Sequence, residues 1–292
     1  MNGITRRLYY RLPPAWRFWA RRLYYLPADL LDRLLHRRDP LVPPRGLIYT
    51  GGGDFRQTGE LLLHYFRTYG GLQSHHAVLD VGSGIGRVAL PLTTFLDEQG
   101  RYEGFDVVKT GVRWCQKHIT SRRPNFRFHY VPLDNDLYRS GGQDATSFHF
   151  PYPDADFDFV VVNSVFTHLL PDEVEHYLSE IARVLRPGGV CYATFFLFGG
   201  RDAPPCNPPQ DFDFPHHFGH YRLMDRQVRS ANVAYAHEWL AGQCARRNLR
   251  IERLFYGSWR GLPRKDCKEF QDLLFLRKAD GNPSTPTPPP SE

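Results

Sequence analysis

A chain of 292 residues is long enough for one large α/β domain with appendages and needs no second enzyme domain to bury a full core. Its five cysteines form no C-x-x-C pair and are odd in number, which argues against a zinc ribbon or a disulfide framework and for reduced thiols in the cytoplasm. Residues 1–45 carry ten arginines and three aspartates, a local net of +7 against +6 for the whole chain, so everything that follows is slightly acidic.

In that arm Trp16, Trp19, Leu23, Leu26, Leu30 and Leu34 recur at steps of three and four, with Arg17, Arg21, Arg22, Arg33, Arg37 and Arg38 between and beyond them. The spacing predicts a basic amphipathic helix, kinked or split at Pro27. Such a helix either covers the cleft of the domain behind it or lies, through residues 1–38, on an anionic membrane surface. Arginine-rich arms also bind phosphates, but the acidic balance after residue 45 argues against a nucleic-acid partner. No apolar run reaches the ~18 residues of a span and no signal-peptide centre is present, so a cytoplasmic protein, peripheral at most, is expected. Next comes a proline- and glycine-punctuated loop with Gly51, Gly52 and Gly53, read as a hinge feeding a ligand site, since no lysine follows to make a phosphate loop. A helix is expected from Thr58 to Tyr69, with Leu61, Leu62, Tyr65 and Phe66 on its apolar side.

The most informative stretch is Val78 to Leu90: a β-branched run, then Gly82-Ser83-Gly84-Ile85-Gly86, then an apolar helical pattern. Glycines permit positive φ and let a ligand lie on bare backbone, with the N–H groups of the first helical turn facing it. The last glycine comes one residue too early for a dinucleotide fingerprint. Asp106 ends the next strand, at the distance expected of a carboxylate that holds ribose hydroxyls. Asp80 to Gly86 followed by an acid-ended strand resembles the class I S-adenosylmethionine-dependent methyltransferases. Phe157–Asn163 reads as a fourth strand, a helix begins near Pro171, and Leu185-Arg186-Pro187-Gly188-Gly189 resembles that family's turn into the fifth strand. The resemblance runs over residues 75–278 and implies an α/β, Rossmann-like fold: a seven-stranded, mostly parallel sheet with helices on both faces and an antiparallel last strand, here preceded by the helical arm. The domains are then 1–45 (arm), 46–279 (methyltransferase domain) and 280–292 (a disordered tail).

The resemblance also implies site roles. Asp80, Gly82, Ser83, Gly84 and Gly86 make room for S-adenosylmethionine, Asp106 takes its ribose, Asn163 and Ser164 lie near its methionine end, and Asp134 or Asn135 reaches the adenine. His168 is the candidate general base, since an imidazole titrating near ~6.5 suits proton removal at neutrality; the alternative is a histidine that packs or caps a helix. His149, His217 and Tyr256 are reserves. Residues 199–224, rich in proline, histidine and aromatics, follow the fifth strand and are a candidate substrate lid. Within it His216 and His220 would share a face if helical, with Asp211 or Asp213 nearby, but Gly219 weakens that helix and no metal site is assigned. The acceptor is expected to be a small molecule such as a sugar, glycolipid or other secondary metabolite, methylated on oxygen. The alternatives are a quinol or lipid methylated at the membrane surface, and a non-catalytic binding module.

Overall fold

A computed structural model of the protein describes residues 14–35, 37–133, 142–209 and 212–280. Asp134, Asn135, Asp211, the tail from residue 281 and the first thirteen residues of the arm lie outside that set. The helices α1 (Pro14–Leu34), α2 (Phe55–Gly70), α3 (Ala89–Phe95), α4 (Lys109–Cys115), α5 (Pro171–Val184) and α6 (His237–Ala245) alternate with eleven described strands.

Seven strands build the main sheet: β1 (Ala77–Val81), β2 (Arg101–Asp106), β3 (Phe126–Tyr130), β4 (Phe157–Val162), β5 (Leu185–Phe195), β10 (Leu249–Phe255) and β11 (Asp272–Lys278). Their order is β10-β11-β5-β4-β1-β2-β3. All neighbours are parallel except β11, which runs antiparallel to both β5 and β10. The expected fold is therefore present. Apart from Asp80 and Asp158, strands β1 and β4 are apolar, because helices cover both faces of the sheet. Alternate residues of each strand feed the two sides. Leu79, Val81, Val160 and Val162 join Val174, Leu178 and Ile181 of α5 on one side. Val78, Val161 and Tyr192 join Phe55, Leu62 and Phe66 of α2 on the other. Chain order reverses beside β1, so a crevice opens beyond the carboxyl ends of β1 and β4.

Helix ends follow local chemistry. The Asp54 side chain accepts from Gln57 N at 2.8 Å and starts α2 three residues before the expected Thr58. At α5 the Glu173 carboxylate accepts the Leu170 N–H, and Pro171 opens the helix. Helix α1 runs unbroken from Pro14 to Leu34, so Pro27 does not split it.

The segment after β5 departs from expectation. Strands β6 (Leu197–Phe198), β7 (His216–His217), β8 (Tyr221–Leu223) and β9 (Val233–Ala236) form a second sheet in the order β6-β9-β8-β7. His216 and His220 thus sit on a hairpin rather than on one helical face, and no group of three metal-binding side chains occurs among the described residues. Asp272 fastens this sheet to the main one. Its carboxylate accepts Leu197 N and Gly257 N at 2.7 Å and Trp259 Nε1 at 2.9 Å. Burial pushes its pKa up to about 6.

Candidate active site

A cavity of about 720 Å³ opens at the crevice beyond β1 and β4, within the ~300–1,000 Å³ of small-molecule sites. Its floor is the turn of Gly82, Ser83 and Gly84; Gly86, also expected here, packs against Cys115 and Ile119 and does not line it. Gly82, Gly84 and Gly86 have φ of +78°, +57° and +87°, a region closed to most side chains. A Cβ on Gly82 would come within 2.5 Å of Val165 Cγ2, and one on Gly86 within 2.9 Å of Cys115 Sγ. Helix α3 starts only at Ala89, later than the sequence pattern suggests. The turn's N–H groups are also largely spoken for: Gly82 N and Ser83 N bond Phe105 O, Gly86 N bonds Ser83 O, and Gly84 N bonds Asp106 Oδ2 at 2.8 Å. A ligand here meets bare backbone and carboxylates rather than a helix end.

Two carboxylates line that floor. Asp106 is buried, its Oδ1 accepting Val108 N at 2.7 Å. Burial pushes its pKa up to about 6, against the pull of its Val108 and Gly84 hydrogen bonds. Asp80 is buried beside it and accepts the Tyr102 hydroxyl at 2.5 Å. Burial raises it to about 7, the Tyr102 hydrogen bond opposes this, and the Asp106 charge adds to it.

Four of the other expected residues meet at the same cavity: Ser83, Asn163, Ser164 and His168. Ser164 has φ +59°, unusual for a side chain larger than glycine. It is held on two sides, its N–H by Thr194 Oγ1 at 2.7 Å and its hydroxyl by Gln271 Oε1 at 2.9 Å. His168, on the short turn Phe166–His168, places Nδ1 2.8 Å from Ser230 O. A carbonyl only accepts, so Nδ1 carries the proton of the neutral ring and Nε2 holds the lone pair. The reserves lie elsewhere. His149 pairs with Glu180 at 3.2 Å, His217 is exposed on β7, and Tyr256 lies under Arg260; none lines the cavity. Nor does any described residue of the expected lid, 199–224.

Other residues supply the walls. Tyr49 to Gly53 close one side, and the loop between β10 and β11 brings Arg264, Glu269, Phe270 and Gln271 to another. Arg87 fixes the glycine loop, its guanidinium donating to Thr50 O at 2.6 Å and Gly52 O at 3.0 Å while lying over the Phe55 ring. The triple glycine is thus a clamped wall of the site. Sequence reasoning missed Arg87 because its partners lie 35 and 37 residues upstream. Glu269, raised by burial, and Tyr192 were also missed. Among the described residues, Ser83 Oγ and Tyr192 Oη are buried without a hydrogen-bond partner, and both residues line this cavity. Such orphans are expected where a polar ligand completes the network.

Residues 79–193 match the methyltransferase domain family. Over 119 residues the chain is 34% identical to the 27-O-demethylrifamycin SV methyltransferase of Amycolatopsis mediterranei, covering 40% of this chain and 38% of that protein. Over 164 residues it is 30% identical to the fatty-acid O-methyltransferase of Mycolicibacterium smegmatis, covering 56% and 50%. The match spans half or less of the length of either relative. Among solved structures, the PH0226 protein of Pyrococcus horikoshii shares the fold with a TM-score of 0.51 at 16% identity, covering 85% of this chain and 99% of that one. Residues 79–193 thus carry a methyltransferase domain, set on the seven-stranded α/β sheet described above. A glycine turn bearing the orphaned Ser83 hydroxyl and flanked by the buried Asp106 and Asp80 fits S-adenosylmethionine, the cofactor that the sequence resemblance implies.

Proposed function

We propose that the chain methylates a hydroxyl oxygen of a small acceptor, such as a sugar, glycolipid or other secondary metabolite, with His168 as general base. The observation that carries this reading is the His168 ring, held through Nδ1 by Ser230 O on the wall of the cavity that also contains the glycine turn and Asp106. That contact, to a carbonyl 62 residues away in the sequence, fixes the ring's orientation on the cavity wall. In this reading Asp106 accepts the ribose hydroxyls, and Asn163 and the strained Ser164 carbonyl region take the methionine ammonium. Asp134 and Asn135 remain candidates for the adenine.

When bound, S-adenosylmethionine supplies an electrophilic methyl on a sulfonium sulfur. The chain's part is alignment, exclusion of water and proton removal. That methyl would pass to the acceptor oxygen, with the sulfur retaining the electron pair of the bond it gives up. The hydroxyl proton passes to His168 Nε2, and Ser230 O stabilises the cation through Nδ1–H. Tyr192 Oη and the Glu269 carboxyl would then orient the acceptor's polar groups. The names of the two curated relatives, one acting on a rifamycin and one on a fatty acid, support a small-molecule acceptor. Because the intact turn and both buried carboxylates are retained, a non-catalytic module is the weaker reading.

The test is transfer of labelled methyl from S-adenosylmethionine to a panel of sugars, glycolipids, quinols and fatty acids. His168→Ala should lower turnover by ~10²–10⁴ and leave cofactor affinity unchanged. Equal turnover in wild type and variant would remove His168 from the chemistry.

A further inference from the structure

The arm's helix is turned inside out. The side of α1 that faces the body is polar: Asp29 accepts Arg45 N at 2.7 Å and Gly46 N at 2.9 Å, and Asp32 pairs with Arg45 at 3.2 Å. Phe18 adds an edge-on contact to Tyr49, with ring centroids 5.4 Å apart. At 100° per residue, Trp16, Trp19, Leu23, Leu26, Leu30 and Leu34 cluster on the opposite side. All six are exposed, Trp16 at 68%, Trp19 at 62% and Leu34 at 76%, and Tyr24, Leu31 and Leu35 widen the outward apolar surface. A helix that covered a cleft would bury this stripe. Instead the structure spends the arm's acids on the body and presents its tryptophans and leucines outward.

Charge selects the occupant. With Asp29 and Asp32 engaged inward and Asp39 paired with Arg56, the exposed charges along and just after the stripe, among the described side chains, are Arg22, Arg33 and Arg37. An apolar stripe with indole rings, edged by exposed arginines on a helix of about 32 Å, matches the interface of an anionic bilayer. We propose that α1 lies in the plane of an anionic lipid surface, its stripe among the acyl chains and its arginines on the phosphates.

This position has a consequence for the acceptor, which rests on the methyl-transfer reading above. Helix α1 touches Tyr49, which opens the loop that Arg87 clamps onto the cavity floor. Two apolar residues of the cavity wall, Leu61 and Phe270, are also exposed, each at 39%. An acceptor with a hydroxylated head and an acyl or prenyl chain can leave its chain in the bilayer and enter the cavity head first.

The test uses the full chain and vesicles of phosphatidylcholine alone or mixed with phosphatidylglycerol. The protein should sediment with the mixed vesicles and not with phosphatidylcholine alone. Arg22→Glu/Arg33→Glu should weaken partition on the order of tenfold or more, and Trp16→Glu/Trp19→Glu should abolish it. Brominated lipid should quench tryptophan emission in wild type but not in Trp16→Phe/Trp19→Phe. Calorimetry with S-adenosylhomocysteine should read the same in all these variants, since their side chains are exposed, so loss of docking and loss of the cofactor site are separate results. Failure of the folded wild type to bind anionic vesicles overturns the proposal. So does partition that the glutamate variants leave unchanged, or a concentration-dependent dimer that Trp16→Glu disperses, which would make the stripe a contact between two copies of this chain.

Discussion

Replacing Asp106 with asparagine keeps the shape of the side chain and removes its charge, which separates folding from cofactor recognition. In the wild type both oxygens already accept a backbone N–H, Gly84 at 2.8 Å and Val108 at 2.7 Å. Asparagine offers one oxygen, so one of those donors faces an NH₂ group, at a stability cost of about 1–3 kcal/mol. Losing a charged acceptor for the ribose hydroxyls should cost a further ~1.5–3 kcal/mol of binding, which is about 10- to 150-fold in Kd. The pH dependence gives a second handle. Burial lifts the Asp106 pKa to about 6. At pH 5 only about one molecule in ten would carry the charge, so affinity for S-adenosylhomocysteine should fall about tenfold from its value near pH 8. Folding responds in the opposite sense. A carboxyl raised in the folded state contributes stability that is complete below the unfolded value of ~3.9 and is lost as pH rises through about 6. Acid loss of affinity would therefore not reflect unfolding through this group. Calorimetric titration of wild type and Asp106→Asn at both pH values, alongside melting curves, reads all three effects. A folded variant with wild-type Kd at both pH values would refute the ribose assignment.

Three further outcomes are expected. Arg87→Met removes two guanidinium bonds to Thr50 O and Gly52 O; it should weaken cofactor binding and expose the loop to protease, and Arg87→Lys should not rescue it, because an ammonium lacks the planar fork that spans both carbonyls while stacking on the Phe55 ring. Gly82→Ala puts a methyl 2.5 Å from Val165 at φ +78°, so a loss of about 1–3 kcal/mol is expected in denaturant titration. Asp272→Ala leaves three N–H donors without their acceptor; at ~1–3 kcal/mol for each buried orphan it should lower the melting temperature more than any change in the cavity. An unaltered melt would mean that the second sheet is not anchored there.

What the sequence made legible was local. The run Val78 to Val81, the three glycines and Asp106 declare a strand, a turn and the end of the next strand within 30 residues, and the structure brings them together as expected. The start of α2 hinges on one side-chain cap, at Asp54, and was misjudged by three residues. Strands β6 to β9 are two to four residues long, too short to show a period of two, so residues 199–224, which hold β7 and β8, read as a lid rather than as part of a second sheet. Arg87, Glu269, Gln271 and Tyr192 carry no motif of their own, and their place at the cavity depends on contacts across the sheet. The helical period of the arm was plain, but period alone does not say which side faces the body. That was decided by Asp29 and Asp32 finding Arg45 and Gly46.

The most direct measurement is calorimetric titration of the full chain with S-adenosylmethionine and S-adenosylhomocysteine. The account predicts saturable binding of both at one site per chain. A folded protein that gives no heat with either would contradict it at its centre, since the glycine turn, Asp80 and Asp106 would then line a cavity made for something else.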